Sequence, residues 1–258
     1  MPITAPLPSD MSAYCLTFDN QSTAWLMDVG KDESVAVALG EMLDLPRKTL
    51  VVVGGANGLN EADFNRLETL FTKIICPFAE THGLVVVDGG TDCGVMRLMG
   101  QSRRKAKATF PLLGVVVKAM TYFPGETPTH PDQSPLELNH SHFVLVPGHE
   151  WGDESGWIAK VADSVAGDMT SVTLLVNGGE IALYQDVPNS LKRRRPVLVM
   201  AGSGRAADTI AAALHGTEAN HQLTSMIDTG LIQSAQLGDN MAEIEQILEI
   251  LFQSPSAT

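Results

Sequence analysis

The chain has 258 residues, of which 44% are hydrophobic, and its formal net charge at neutral pH is -13. This size and apolar content allow one large α/β domain or two small ones, and we expect one. The negative charge argues against a nucleic-acid partner, because such binding depends on clustered cations. It still allows a small anion to be bound by backbone N–H groups and one or two arginines.

The cysteines and the apolar runs indicate the compartment. Cys15, Cys76 and Cys93 are odd in number and lack C-x-x-C spacing, so we expect reduced thiols. No apolar run approaches the ~20 residues of a membrane helix, and the first ten residues do not resemble a signal peptide. The sequence therefore predicts a soluble, cytoplasmic protein without a membrane partner.

Residues 1–48 have the least regular pattern. Residues 14–18 and 23–29 are predicted to pair as short strands, and residues 33–45 to form a helix that ends at Pro46. We expect these elements to pack on a main domain of residues 49–258, in a single compact domain overall.

From residue 49 onward, apolar strands alternate with amphipathic helices. The predicted strands are residues 49–53, 84–87, 112–117, 143–146, 172–176 and 196–200. The predicted helices begin near Asn60, Val95, Trp157, Ala206 and Asn240, and Pro77 should kink the first of them. Strands that are apolar on both faces and alternate with helices indicate an α/β, Rossmann-like, doubly wound fold, with a mainly parallel sheet and helices on both faces.

Residues 119–141 contain four prolines and show no periodicity. A long irregular segment inside a compact domain is usually functional or mobile, so this one is predicted to act as a lid over the site.

Four glycine-rich turns follow predicted strands. They read VVVGGANG (51–58), VVVDGGTDCG (85–94), LLVNGGE (174–180) and PVLVMAGSGRAAD (196–208). A strand, a tight turn and a helix start present backbone N–H groups and the positive end of a helix dipole to an anion such as a phosphate. Because the carboxyl ends of parallel strands share one sheet edge, the four turns are predicted to line one crevice for a nucleotide-type ligand.

The predicted ligand-binding residues lie in these turns and in the segment LNHSHF (138–143). They are Gly54, Gly55, Ala56, Asn57, Gly89, Gly90, Thr91, Gly94, Val95, Asn139, His140, Gly178, Gly179, Glu180, Gly202, Ser203, Gly204 and Arg205. Arg205 is predicted to make a bidentate contact to phosphate, and a local ion pair is the alternative. For the GGT turn, glycines that serve only the tight turn are the alternative.

The remaining polar candidates have competing interpretations. Asp208 could orient a ribose hydroxyl, act as an acid–base group or stabilise the helix dipole. His140 and His142 have the i, i+2 spacing of a metal pair, but no recognised ligand spacing accompanies them. We therefore expect hydrogen bonds to loops, no metal and no required cofactor. Residues 202–207 match G-x-G-x-x-A, but after the last predicted strand, so a dehydrogenase is not predicted.

Four co-linear segments resemble a known family. GGTDCGVM, LNHSHFVLV, VTLLVNGGE and RPVLVMAGSGRAADTI resemble the N-terminal cytosolic domain of melastatin-type TRP channels, a member of the SLOG superfamily (SMF/DprA-LOG) of Rossmann-like modules. The resemblance covers about residues 49–214. It implies a stand-alone, prokaryotic-type module that binds ADP-ribose or a related nucleotide. Residues 202–205 match the family's GSGR phosphate turn, and residues 89–94 match its GGTxxG turn.

The resemblance leaves three functions open. The first is a sensor of an ADP-ribose-like ligand, with a second copy or an effector protein as a further partner. The second is an N-glycosidic-bond hydrolase, because the LOG branch contains phosphoribohydrolases with a P-G-G-x-G-T-x-x-E turn. Here that turn reads A-G-S-G-R-A-A-D, so Asp208 replaces the glutamate, and Glu180 is the other candidate for assisting catalysis. The third is a structural subunit with a vestigial site.

Overall fold

The computed structural model describes residues 13–18, 21–30, 35–55, 61–123, 126–238 and 240–253. Its strands are β1 Ala13–Thr17, β2 Thr23–Asp28, β3 Thr49–Gly54, β4 Val85–Asp88, β5 Leu112–Val117, β6 Thr121–Tyr122, β7 Ser134–Pro135, β8 His142–Val146, β9 Ser171–Val176, β10 Val197–Ala201 and β11 Ile232–Gln236. Its α-helices are α1 Val35–Met42, α2 Glu61–Leu70, α3 Cys76–Thr81, α4 Gly94–Ala106, α5 Ser155–Ala166, α6 Val187–Lys192, α7 Arg205–Leu214, α8 His221–Ile227 and α9 Met241–Gln253.

The described strands form a nine-stranded sheet in the order β1-β2-β8-β5-β4-β3-β9-β10-β11. Within it β1 is antiparallel to β2, and all the other neighbours are parallel. The predicted α/β, Rossmann-like, doubly wound fold is therefore confirmed. From β3 the chain moves outward through β4, β5 and β8, and then returns to β9 on the other side of β3. In such sheets the crevice where the strand order reverses is the usual place for a ligand.

The central strands β3, β4, β5, β8, β9 and β10 are buried on both faces, which explains their continuous apolar runs. Val51 and Val53 join one core cluster, which includes apolar residues of α1, α5, α6, α7 and α8. Leu50 and Val52 join the other, which includes residues of α2, α3, α4 and α9. At about 1.5–3 kcal/mol for each large buried apolar side chain, these two layers supply most of the driving force for folding.

The first elements belong to the same sheet. β1 and β2 pair as the sequence predicts, with Cys15 opposite Trp25. β2 then extends the parallel sheet beyond β8, with Trp25 opposite His142. The N-terminal strands thus lengthen the sheet at one edge.

The predicted kink at Pro77 takes the form of a π-helical segment. Phe71–Ile75 lies between α2 and α3, and Pro77 occupies the first turn of α3. Proline lacks an N–H group and its ring clashes with the carbonyl four residues earlier, so a wider turn upstream accommodates it. A second π segment, Ala182–Asp186, precedes Pro188 in the same way.

Five of the described elements were missed in the sequence, namely α6, α8, β11 and the two-residue strands β6 and β7 of the irregular segment. The strand that contains Val197 was therefore wrongly taken as the last one. β11 lies at the sheet edge and buries only Ile232 and Ala235, so its apolar pattern is short. Among the described residues, none of the helices combines the length and the apolarity needed to cross a bilayer.

Candidate functional site

A cavity of about 760 Å³ opens at the carboxyl ends of β3, β4 and β9. Seven of the predicted site residues line it, namely Gly54, Gly55, Gly89, Thr91, Gly179, Glu180 and Arg205. These residues come from all four glycine-rich turns. The cavity therefore lies at the reversal point between β3 and β9, and we call it the crevice.

Gly54 brings two strand ends together at the floor of the crevice. A Cβ atom at this position would lie 2.3 Å from the Val176 carbonyl oxygen and 2.7 Å from Cγ2 of Val95. Neither contact is sterically possible, so only glycine fits here. Val95 itself packs below Gly54 and is not among the residues that line the crevice.

The Arg205 guanidinium lies between the turns after β3 and β9. A Cβ atom on Gly179 would be 2.8 Å from its Nη2, and a Cβ atom on Gly55 would be 3.2 Å from its Nη1. The two glycines thus leave the space that the guanidinium occupies. Arg205 also has a φ of 49°, a left-handed conformation that is uncommon for a residue with a side chain.

The GSGR turn holds Arg205 in place. The Asn177 backbone N–H donates to Ser203 Oγ at 2.8 Å, and the Asn177 side chain donates to the Ser203 carbonyl at 2.9 Å. Gly202 and Gly204 have φ angles of 81° and 100°. Gly178, Gly202, Ser203 and Gly204 are not among the residues that line the crevice, so they shape the turns around it.

Asp208 caps the same turn. Its Oδ1 accepts a hydrogen bond from the Gly202 N–H at 2.6 Å, and it does not line the crevice. This position favours the structural interpretation of Asp208 over the catalytic one. Glu180, the other catalytic candidate, does line the crevice.

The GGT turn is fixed from below. Asp88 Oδ1 accepts a hydrogen bond from the Gly90 N–H at 2.7 Å, and Gly90 packs against Gly114, to which a Cβ atom would approach within 2.8 Å. Gly90 and Gly94 are not among the crevice-lining residues, whereas Gly89 and Thr91 are. Thr91 also forms a β-bridge with Leu136 of the predicted lid segment.

Asn139 and His140 do not line the crevice. The His140 ring is fully buried, with Nε2 2.8 Å from Asp88 Oδ1 and Nδ1 2.8 Å from Glu137 Oε2. Burial alone would lower the pKa of His140, but Asp88 and Glu137 raise it to about 9, so the ring is charged at neutral pH. Asn139 donates to Glu137 and lines a separate cavity of about 450 Å³.

His142 lies in a different environment from His140. Burial, reinforced by the positive charge of Arg103, lowers the pKa of His142 to about 4. His142 Nδ1 lies 2.9 Å from Ser141 Oγ. Across the described ranges, no group of three histidine, cysteine, aspartate or glutamate side chains is placed to hold a metal ion.

The predicted lid segment contributes to the crevice. Asp132 and Ser134 line it, and the Trp151 ring N–H donates to the Asp132 carbonyl at 3.0 Å. Two backbone hydrogen bonds, Asp92 N–H to Pro135 O and Glu137 N–H to Gly90 O, attach the segment to the GGT turn. The prolines and the missing periodicity of residues 119–141 were the sequence features that pointed to this part of the crevice wall.

Two carboxyl groups of the crevice were missed in the sequence. Glu154 lies at the start of α5 and Asp186 at the end of the second π segment, and both line the crevice. Neither follows a glycine turn, so only the fold brings them to the site. Ala56 and Asn57, two further predicted ligand-binding residues, lie outside the described residues.

A comparison with models of protein families shows which family the chain belongs to. The family model described as "SLOG in TRPM, prokaryote" matches residues 47–245, well over half of the chain. The chain belongs to this SLOG family. The matched region includes the crevice and every strand of the sheet except β1 and β2, and the resemblance to the melastatin-type channels is confirmed.

Curated relatives of this SLOG domain include channel subunits. It is 26% identical over 204 residues to transient receptor potential cation channel subfamily M member 2 of Mus musculus. It is 27% identical over 212 residues to the subfamily M member-like 2 protein of Nematostella vectensis. The matches cover 66% and 68% of this chain but only 13% and 14% of those proteins.

A solved structure supports the fold alone. The molybdenum cofactor carrier protein MCP from Chlamydomonas reinhardtii superposes with a TM-score of 0.50 at 17% identity. The match covers 81% of this chain and 99% of the carrier protein.

Proposed function

We propose that this SLOG domain is a cytoplasmic sensor module that binds ADP-ribose or a related nucleotide in the crevice. One observation carries the proposal: the Arg205 guanidinium lies between Gly55 and Gly179, at the point where the strand order reverses. A cation at this point is placed to neutralise a phosphate at the carboxyl ends of β3 and β9.

The backbone around Arg205 supports the same ligand class. The turns after β3, β4 and β9 contribute Gly55, Gly89 and Gly179 to the walls. The guanidinium occupies the space beside Gly55 and Gly179, and at Gly89 a ligand can approach the main chain closely. Backbone N–H groups at strand-to-helix turns are good donors to phosphate oxygens. The crevice volume of about 760 Å³ lies within the range of roughly 300–1,000 Å³ typical of small-molecule sites.

Isothermal titration calorimetry with ADP-ribose, ADP and NAD tests the proposal. We expect ADP-ribose or one of its relatives to bind, and Arg205→Ala to weaken binding by about 1.5–3 kcal/mol, the value of a hydrogen bond to a charged group. Arg194→Ala is the matched control. Arg194 is also an arginine with a left-handed φ, 56°, but it is exposed and precedes β10 at the opposite edge of the sheet.

Two results would contradict the proposal. One is the absence of binding by any of the three nucleotides, and the other is equal weakening by both arginine variants. Chromatography of the same mixtures for a released base or ribose phosphate tests the hydrolase alternative, for which Glu180 lines the crevice but Asp208 does not.

A further inference from the structure

The crevice has two chemically different walls. The first contains Gly55, Gly179 and Arg205 and suits phosphate, as argued above. The second contains the carboxyl groups of Glu154 and Asp186, brought together by α5 and the second π segment. Two carboxyl groups repel phosphate, so an anionic ligand in this crevice must present a different chemical group to the second wall.

The packing of the fold explains only one of these carboxyl groups. Glu154 lies directly before α5 and accepts a hydrogen bond from the Gly152 N–H at 2.9 Å, so it stabilises the turn that precedes the helix. Asp186 has no such role. Its Oδ1 is buried and has no hydrogen-bond partner of good geometry within the described part of the chain, although the Ser155 hydroxyl lies close by. Neither carboxyl group forms a salt bridge with a described lysine or arginine within 4.0 Å.

A buried carboxyl group without a cation costs stability, since its charged form loses hydration. Proteins keep such groups where a ligand makes use of them. Asp186 lines the crevice, so a ligand hydroxyl can approach its carboxyl group, and a rotation of that group would let the buried Oδ1 gain the missing hydrogen bond.

We propose that Glu154 and Asp186 form the sugar subsite of the crevice, where the carboxyl pair binds the ribose hydroxyls of a nucleotide whose phosphates lie at Arg205. This inference rests on the proposed function and adds to it the orientation of the ligand and the residues that recognise the sugar.

Protonation suits the pair to this task. Burial raises the pKa of Asp186 to about 7, with the Ser155 hydroxyl opposing and Glu154 reinforcing the shift. Burial also raises the pKa of Glu154, the Gly152 N–H opposes that shift, and Asp153 reinforces it. The other charged residues that line the crevice are Asp132, Glu180 and Arg205. With a pKa of about 7, Asp186 is partly protonated near neutral pH, so its carboxyl group can donate a hydrogen bond to one ribose hydroxyl and accept one from another.

Calorimetry on three variants tests the subsite. Asp186→Ala removes both the donor and the acceptor, so we expect ADP-ribose affinity to fall at least about ten-fold, which corresponds to about 1.4 kcal/mol. Asp186→Asn keeps a donor and an acceptor, so its affinity should stay within about three-fold of that of the wild type. Glu150→Gln, an exposed neighbour in the turn before α5, is the control and should change nothing.

Inorganic pyrophosphate separates the sugar subsite from a structural effect. It has no hydroxyl-bearing sugar, so Asp186→Ala should bind it at least as well as the wild type does, whereas Arg205→Ala should weaken it. The pH dependence gives a second readout. Wild-type affinity for ADP-ribose should fall between about pH 6 and pH 8 as Asp186 loses its proton, and Asp186→Asn should lack this fall.

The outcomes distinguish the two proposals. Unchanged ADP-ribose affinity in Asp186→Ala, or an equal loss for pyrophosphate, would overturn the sugar subsite while the proposed function stands. If the wild type bound neither ADP-ribose nor pyrophosphate, the proposed function would fail and the subsite with it.

Discussion

His140 Nε2 lies 2.8 Å from Asp88 Oδ1, and neither side chain is exposed to solvent. The same Asp88 oxygen accepts the hydrogen bond from the Gly90 N–H that shapes the GGT turn. A buried ion pair between β4 and the residues that precede β8 therefore fixes the turn that carries Gly89 and Thr91 into the crevice.

Because of this ion pair, the free energy of unfolding should fall as the pH becomes alkaline. Asp88 and Glu137 raise the pKa of His140 from its ordinary value near 6.5 to about 9. The folded state therefore retains a proton that the unfolded chain loses, and the stabilisation is complete below about pH 6.5 and lost as the pH rises through about 9. We expect the free energy of unfolding, measured in urea, to fall by roughly 3 kcal/mol over this window. In His140→Gln this fall should be absent.

His142 provides the control because its shift has the opposite sign. Burial and Arg103 lower the pKa of His142 to about 4, so the unfolded chain binds a proton first as the pH falls below about 6.5. His142→Gln should remove a loss of stability on the acid side and leave the alkaline side unchanged. An alkaline fall of equal size in the wild type and in His140→Gln would contradict the assignment of the charge to His140.

Gly100 should not tolerate alanine, although it lies in a helix. Alanine in a helix is usually favoured over glycine by about 1 kcal/mol. At Gly100, however, a Cβ atom would lie 1.9 Å from Glu137 Oε2, and Glu137 is held by Asn139 and His140. We therefore expect Gly100→Ala to lower the free energy of unfolding by about 1–3 kcal/mol, as other overpacked core sites do.

Gly40 is the matched control for Gly100. It lies exposed in α1, and a Cβ atom there would meet nothing within 4 Å. Gly40→Ala should raise the free energy of unfolding by about 0.5–1 kcal/mol. If both substitutions stabilised the protein, Glu137 would be free to move, and the buried network could not hold the GGT turn.

The sequence predicted the architecture because the six central strands of this sheet, from β8 to β10 in sheet order, are buried on both faces. Runs such as residues 49–53 and 196–200 have no polar interruption, and the glycine turns mark where they end. The repeated pattern of strand, glycine turn and helix predicted Gly54, Gly89, Gly179 and Arg205 at one edge of the sheet, and the structure brings them to one crevice.

The rest of the site could not be predicted, because its residues depend on contacts that are distant in sequence. His140 was predicted to be a ligand-binding residue, but it is buried against Asp88, which is 52 positions away in the sequence. Asp186 belongs to a π segment next to Pro188, a pattern that favours no regular element. Glu154 and Asp186 become neighbours only when α5 and this segment pack together, so no local sequence pattern predicts that they lie close to each other.

Because the backbone of Arg205 is left-handed, its alanine and glycine variants should differ in folding stability. A residue with a Cβ atom pays about 1–2 kcal/mol for this conformation, whereas glycine adopts it freely. Arg205→Ala and Arg205→Gly both remove the guanidinium, so both should lose the same nucleotide affinity in calorimetry. Arg205→Gly should nevertheless be more stable than Arg205→Ala by about 1 kcal/mol in urea unfolding. Equal stability of the two variants would show that the backbone at this position is relaxed.

Asp186 should cost the protein stability at neutral and alkaline pH. Burial raises its pKa from an ordinary value near 3.8 to about 7, so the folded state holds a proton that the unfolded chain has already released. Stability should therefore fall as the pH rises from about 4 through 7, and Asp186→Asn should remove this fall. At about pH 8 we expect the variant to be more stable than the wild type by about 2–4 kcal/mol, and at about pH 4 the two should be nearly equal. Asp168→Asn, which changes an exposed carboxyl group after α5, should shift neither value. If Asp186→Asn were less stable than the wild type at both pH values, the carboxylate would be a structural partner of Ser155. The buried carboxylate would then not destabilise the fold, and the argument for a ligand at this wall would fail.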